Sequence, residues 1–167
     1  TAETIVADGL AQLPTQSSET FNAIMNELAS TGDKGILQIA SRLVPPANGK
    51  NAVFEYAIGG ITDLVTTKNG EKYRASVRKG LAEAIEKCND YDNKAFLLTQ
   101  LAKCATKEDM PVFSKYLKDS KLSDLVIMLL TSIPGNDTEL AYLVKNTDLP
   151  HLALAKMVTA RNIQGVE

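Results

Sequence analysis

Apolar residues recur at helical spacing along most of the chain, and the clearest case is residues 106–133. In its first half, Met110, Phe113 and Leu117 recur at i, i+3 and i+7. Such spacing places the apolar side chains on one face of a helix and leaves the charged residues on the other. A second apolar stripe follows a short polar turn, formed by Leu122, Leu125, Val126, Leu129, Leu130 and Ile133. The stretch therefore predicts a helical hairpin, with Phe113 and Leu129 in the core.

Start and stop signals bound this hairpin. Thr106 with Asp109 three residues later is typical of a capping box at a helix start, and the Pro134, Gly135 pair ends the second helix. Asn136 and Glu139 then form a second candidate capping box. These signals predict a new helix directly after residue 135.

The same reasoning divides the whole chain into helices. Apolar stripes between caps, prolines and glycines predict ten of them. Their approximate ranges are 1–13, 18–32, 33–44, 51–67, 71–88, 93–105, 106–118, 122–133, 136–144 and 148–162. The Gly59, Gly60 pair interrupts the fourth helix, and we expect another helix to approach closely there. No run of alternating β-branched residues predicts a strand.

One short pattern recurs at the junctions between helical pairs. A leucine near the end of a second helix is followed by small residues, a turn and an acidic cap, at Leu28, Leu64, Leu101 and Leu130. Self-similarity at a period of about 20–50 residues is typical of solenoids, in which each unit buries its face against its neighbours. We therefore predict an all-α fold, a right-handed α–α superhelix of about five helical hairpins that forms a single domain over residues 1–167. The seams are expected near residues 32, 69, 105 and 135.

Pro111 early in a first helix, Asp124 at the start of a second helix and the recurrent seam together resemble HEAT and armadillo-type repeats. In addition, LASTGDKGILQIASRLVPP (28–46) with NAVFEYAIGGITDLV (51–65) is similar to the HEAT-like segment of exported bacterial multidomain proteins that carry a 3-keto-disaccharide hydrolase domain. The resemblance implies a helical scaffold in a larger exported protein, whose catalysis resides in another domain. The start at Thr1 without Met fits the same expectation of a processed or excised segment, and a periplasmic or exported location.

Composition narrows the possible partners. The net charge is −2, and the sequence lacks Trp and any apolar run of 18 residues. A nucleic-acid surface would carry a basic excess and stacking aromatic residues, which argues against HEAT-like DNA glycosylases. We expect no nucleic-acid partner and no membrane span. One basic run, Lys68, Lys72, Arg74, Arg78 and Lys79, leaves open either a solvated helix start or contact with an anionic partner.

Residues that carry chemistry are sparse. His151 is the single histidine, whereas a zinc site needs three or four ligands. Cys88 and Cys104 end two consecutive antiparallel helices, so their thiols should lie roughly 20 Å apart and stay free. The carboxylates mostly occupy caps and exposed helix faces. We predict no cofactor, no metal and no catalytic residue.

The favoured function is a non-catalytic helical-repeat scaffold. Its partner would be a protein or a neighbouring domain of the same polypeptide, or a glycan, bound on the exposed face of the second helices. The candidate members of this surface are Asn22, Asn26, Asp63, Thr66, Thr99, Gln100, Lys103 and Thr131. The alternative is an enzyme acting on carbohydrate within the solenoid groove, which would require clustered carboxylates.

Overall fold

The structure, a computed structural model, describes residues 1–146 and Thr159. This part of the chain is all-α, as predicted, and residues 1–146 contain no strand. The α-helices are α1 Ala2–Ala11, α2 Ser18–Ser30, α3 Gly32–Ala40, α4 Ala52–Val65, α5 Arg74–Lys87, α6 Tyr91–Cys104, α7 Met110–Ser114, α8 Ser123–Ser132 and α9 Asp137–Asn146. Short 3-10 turns precede α4, α5 and α7, at Pro46–Asn48, Glu71–Tyr73 and Lys107–Asp109.

Two predicted helices run four residues past the ends of the observed ones. The helix predicted over 33–44 ends at Ala40, because residues 41–44 turn towards Pro45. The helix predicted over 106–118 contains only α7 and its preceding 3-10 turn, and residues 115–118 form turns. The last predicted helix, 148–162, and His151 lie outside the described residues.

The chain divides into two compact units, Thr1–Cys104 and Ala105–Glu167. In the first unit, each helix packs against its successor, so α1–α2, α3–α4 and α5–α6 are paired. Alternate helices also pack together: α1 on α3 on α5, and α2 on α4 on α6. The six helices therefore form two adjoining rows of three. The core between them is aliphatic, with Val6, Met25, Leu28, Ile36, Ile39, Ile58, Ile61, Leu81, Ile85, Leu97, Leu98 and Leu101 buried.

Two glycines allow neighbouring helices to approach. A Cβ at Gly80 in α5 would lie 2.8 Å from the Asp33 Cα and 2.9 Å from the Ile36 Cβ, both in α3. At Gly60 in α4, a Cβ would meet the side chains of Met25 and Phe21 in α2. The expected close approach therefore occurs at Gly60. At Gly59 the nearest atom would be 3.8 Å away, which is an ordinary contact.

Two buried asparagines form hydrogen bonds with the backbone in the connection between α3 and α4. The Asn51 side chain accepts from the Val44 N–H at 2.8 Å and donates to the Val44 carbonyl at 2.6 Å. The Asn93 side chain donates to the same carbonyl at 2.9 Å and accepts from the Asn51 amide at 3.1 Å. This network satisfies a backbone that has left the helix, as buried polar groups require. It fixes both ends of the exposed loop 45–50.

The second unit contains the predicted hairpin. Thr106 and Asp109 form the predicted capping box: the Asp109 carboxylate accepts from the Thr106 N–H at 2.9 Å. Helices α7 and α8 pack together, and Phe113 and Leu129 are buried as predicted. Before α9, the buried Asn136 amide donates to the Leu130 carbonyl at 2.9 Å, which fastens the α8–α9 turn.

Candidate functional site

The row formed by α2, α4 and α6 carries most of the predicted interaction surface. Asn22 and Asn26 lie one helical turn apart on α2, and Asp63 and Thr66 lie near the end of α4. All four are exposed or partly exposed. Thr99 and Lys103 lie on α6. Because α4 packs between α2 and α6, the predicted members in the first unit belong to three adjacent helices. We call the surface formed by Asn22, Asn26, Tyr56, Asp63, Thr66, Thr99 and Lys103 the α2–α4–α6 face.

Lys103 links α6 to α4 across this face. Its ammonium group lies 2.7 Å from Asp63 Oδ1 and donates to the Gly59 carbonyl at 3.3 Å and to Gln100 Oε1 at 3.1 Å. Three acceptors around one ammonium match its three donors. The charges of Lys103 and Asp63 therefore compensate each other, and the middle of the face carries no excess charge.

The prediction that Gln100 is exposed is wrong. Its side chain is buried, and Oε1 accepts from the Thr62 hydroxyl at 2.9 Å in addition to Lys103. Thr62 is itself fully buried on α4. The α4–α6 contact therefore contains a polar pair where the apolar stripes alone would place only aliphatic residues. Gln100 therefore lies beneath the α2–α4–α6 face, where it stabilises the α4–α6 contact, and it is not available to contact a partner.

An aromatic pair contributes to the same face at the α2–α4 contact. The centres of the Phe21 and Tyr56 rings lie 5.2 Å apart at a tilt of 48°, and this separation is typical of interacting aromatic pairs. Tyr56 remains 41% exposed. Tyr56 was not among the predicted members of this surface. The available signal was the position of Tyr56, two helical turns before Asp63 and off the apolar stripe of α4.

Thr131, the last predicted member, belongs to the second unit. It lies on α8, is partly exposed and donates its hydroxyl to the Met128 carbonyl at 2.6 Å. Met128 next to it is 59% exposed.

The basic run at the start of α5 makes contacts inside the first unit. Arg74 Nε donates to the Cys104 carbonyl at 2.7 Å, at the end of α6. Lys79 lies 3.5 Å from the Asp33 carboxylate, and the Lys72 ammonium lies 5.1 Å from the centre of the Tyr73 ring. Arg74 thus caps a helix terminus, where a cation is favoured. These contacts, with Lys79 74% exposed, agree with the simpler of the two interpretations, a solvated helix start.

A pocket of about 370 Å³ lies between the ends of α3 and α5 and the start of α6. Leu37, Leu43 and Leu97 contribute apolar walls, and Cys88 lies at its side. Both cysteines are free, Cys104 being buried and Cys88 partly exposed. Burial raises the pKa of the Cys88 thiol above its ordinary value, since desolvation outweighs the hydrogen bonding of the Asp90 backbone and the nearby Lys94 charge. The protonated thiol is a weak nucleophile, which argues against a reactive cysteine here.

A second concavity, of about 540 Å³, lies in the second unit between α7 with its preceding turn and α9. Met110, Pro111, Tyr142 and Leu143 form its apolar lining. Tyr142 is 66% exposed. We call this concavity the α7–α9 groove.

Glu139 is one of the residues that line the α7–α9 groove. Glu139 Oε1 is 3.7 Å from the Lys107 ammonium, a long ion pair, whereas Oε2 is shielded from solvent and has no hydrogen-bond partner in the described part of the chain. An acceptor left in this state costs about 1–3 kcal/mol or more. The exposed fraction of the Glu139 side chain, 35%, therefore belongs to its other atoms.

Within the described residues, no three His, Cys, Asp or Glu side chains come together as a metal site. None of the helices described has both the length and the apolar character needed to cross a bilayer. Comparison of the chain with protein-family models, with curated proteins and with solved structures finds no match.

Proposed function

We propose that this chain is a non-catalytic helical-repeat scaffold, a HEAT-like right-handed α–α superhelix, whose α2–α4–α6 face binds a protein partner or a neighbouring domain of the same polypeptide. The observation that carries the proposal is the packing of alternate helices into two rows in the first unit. Stacked hairpins with this contact pattern offer one row of helices as a continuous binding surface.

The chemistry of the α2–α4–α6 face favours a protein partner. Asparagine and threonine side chains offer adaptable hydrogen bonds, and an exposed tyrosine offers a large contact area at a low entropic cost. Tyr56 lies among such groups, and Lys103 and Asp63 compensate each other. A nucleic-acid partner would favour an excess of cations. In this proposal, Tyr56 is the central anchor, and the asparagine and threonine residues around it supply specificity.

The resemblance to exported multidomain proteins suggests where this scaffold acts and what it holds. The chain would hold a catalytic neighbour in place outside the cytoplasm, and the chemistry would belong to that neighbour. A carbohydrate-cleaving activity within the chain itself is the opposing hypothesis.

The test is site-specific photo-crosslinking in cells that express the natural protein. A photoreactive phenylalanine derivative replaces Thr66 on the face, and in a matched variant it replaces the exposed Ala75 on α5. We expect a discrete adduct from position 66 that is absent from position 75. Equal adducts from both positions, or none from position 66, would contradict the proposal.

Two triple-lysine variants then establish which surface of the first unit forms the crosslinked adduct. Asn22→Lys, Asp63→Lys and Thr66→Lys together should abolish the adduct of a photoreactive group placed at Tyr56. The control variant combines Asp8→Lys, Ala11→Lys and Ala75→Lys, which add the same positive charge at exposed positions of α1 and α5; it should retain the adduct. Hydrolysis of a glycoside by the purified chain, lost on replacing one carboxylate, would instead favour the enzyme.

A further inference from the structure

We propose that the α7–α9 groove is a second docking site, which receives an arginine side chain from a segment of a partner protein. The proposal concerns the second unit only and does not depend on the α2–α4–α6 face. Its starting point is the shielded, unpartnered Glu139 Oε2 beside an apolar lining.

The groove has the composition of a binding site. Its volume of about 540 Å³ falls within the range of about 300–1,000 Å³ typical of ligand sites. Such sites combine mostly apolar walls with a few polar groups that orient the ligand. Here Met110, Pro111 and Leu143 provide apolar walls, and Glu139 is one of the polar residues in the lining, with Lys107, Glu108, Ser114 and Thr138.

The unpartnered oxygen determines the charge of the occupant. An ionised carboxylate only accepts hydrogen bonds, so the missing partner is a donor, and a cationic donor gives the strongest bond. Lys107 does not fill this role, because its ammonium is 3.7 Å from the other oxygen and its side chain is 61% exposed. Within the described residues, this oxygen therefore lacks a cationic donor, and apolar side chains line the groove beside it. Because the oxygen is shielded from solvent, the Glu139 side chain has to turn towards the groove when it meets a docked cation.

Arginine fits this surface better than lysine. A guanidinium is more weakly hydrated than an ammonium and stacks on aromatic rings, so it enters partly apolar sites at a lower cost. Tyr142, 66% exposed at the groove, offers such a ring. Arginine is also enriched among the residues that dominate protein–protein binding energy. The expected occupant is thus an arginine flanked by apolar residues that contact Met110 and Pro111.

The test uses a defined probe, the peptide acetyl-Leu-Arg-Leu-amide, in an NMR titration of the full chain. The matched probe replaces arginine with citrulline, which preserves the shape and removes the charge. We expect the arginine peptide to shift the signals of Tyr142 and Leu143, and to bind about tenfold more tightly than the citrulline peptide. Tenfold corresponds to the contribution of one hydrogen bond to a charged group.

Two glutamate variants distinguish a specific contact with the Glu139 carboxylate from a general attraction of the cationic peptide to the acidic protein. Glu139→Gln should weaken the arginine peptide about tenfold and remove the difference between the two peptides, while Glu86→Gln, an exposed glutamate of α5, should change neither. Lys107→Gln should tighten binding, because a competing cation is removed. A dispersed NMR spectrum of each variant verifies that it folds.

Three results would overturn the proposal. The first is the absence of shifts at Tyr142 and Leu143 at peptide concentrations of about 10 mM, well above the weak affinity expected of so small a ligand. The second is equal binding of the arginine peptide to wild type and Glu139→Gln. The third is a concentration-dependent shift of the groove signals without peptide, which would identify a second copy of the chain as the occupant.

Discussion

Replacing Gly80 with alanine tests the close packing of α3 against α5. The new Cβ would lie 2.8 Å from the Asp33 Cα, 2.9 Å from the Asp33 carbonyl oxygen and 2.9 Å from the Ile36 Cβ. Favourable carbon–carbon contacts lie at about 3.5–4.0 Å, so the two helices must separate. These neighbours are backbone and Cβ atoms, which no rotamer change can move aside.

The magnitude follows from two opposing contributions. Alanine in place of glycine stabilises a helix interior by about 1 kcal/mol, whereas overpacking a close contact costs about 1–3 kcal/mol. Contacts this short with backbone atoms belong at the upper end of that range. We therefore expect Gly80→Ala to lower the free energy of unfolding by about 2 kcal/mol.

Gly59→Ala is the matched control, since it makes the same chemical change inside a helix. Its Cβ would meet only Gln100 Oε1, at 3.8 Å, so the variant should be stabilised by about 0.5–1 kcal/mol. In urea unfolding followed by circular dichroism at the helix band, the midpoints of the two variants should differ by about 1–2 M at an unchanged slope. If Gly80→Ala raised the midpoint as Gly59→Ala does, the α3–α5 contact would not be as close as described.

Three further substitutions and modifications test other parts of the structure. Leu129→Ala should lower the free energy of unfolding by about 2–5 kcal/mol, since Leu129 is buried; a loss below about 1 kcal/mol in urea unfolding would contradict its place in the core. Thr106→Ala should cost about 1 kcal/mol by removing a capping box, and Thr106→Ser should restore most of it. Thiol labelling of the folded protein should modify Cys88 and spare the buried Cys104. The rate at Cys88 should keep rising with pH beyond the range of a model thiol, because its pKa is raised and the reactive thiolate forms later; equal labelling of both would contradict this.

Periodicity and caps predicted most of the helices because each signal is local. The stripe in α8 and the capping box of Thr106 and Asp109 need no knowledge of the rest of the chain, and both are confirmed. The end of α3 was predicted too late for a similar reason. Residues before a proline avoid helical backbone, but the Val44 backbone is also held by Asn51 and Asn93, and the second of these is distant in sequence.

The prediction of the interaction surface contained one error, the exposure of Gln100. Glutamine is ordinarily exposed, and Gln100 was assigned to the exposed face of the second helices. It is buried because Thr62 on the neighbouring helix supplies a hydroxyl and Lys103 an ammonium. A helical pattern shows the polarity of one helix alone, whereas burial of a polar side chain depends on its partner. The α7–α9 groove was not predicted for the same reason, since it lies between two helices.

The amide network at Val44 has a consequence for changing the length of the chain. Both ends of loop 45–50 are fixed by hydrogen bonds of Asn51 and Asn93, while residues 45–50 themselves are exposed and a side chain at Gly49 would meet no other atom within 4 Å. Doubling the length of a flexible loop costs only about 0.6 kcal/mol in closure entropy. Extra residues inserted between Ala47 and Gly49 should therefore leave the six helices in place. This loop is a natural entry point for a reporter sequence or a protease site, and grafts there would be displayed without disturbing the packing.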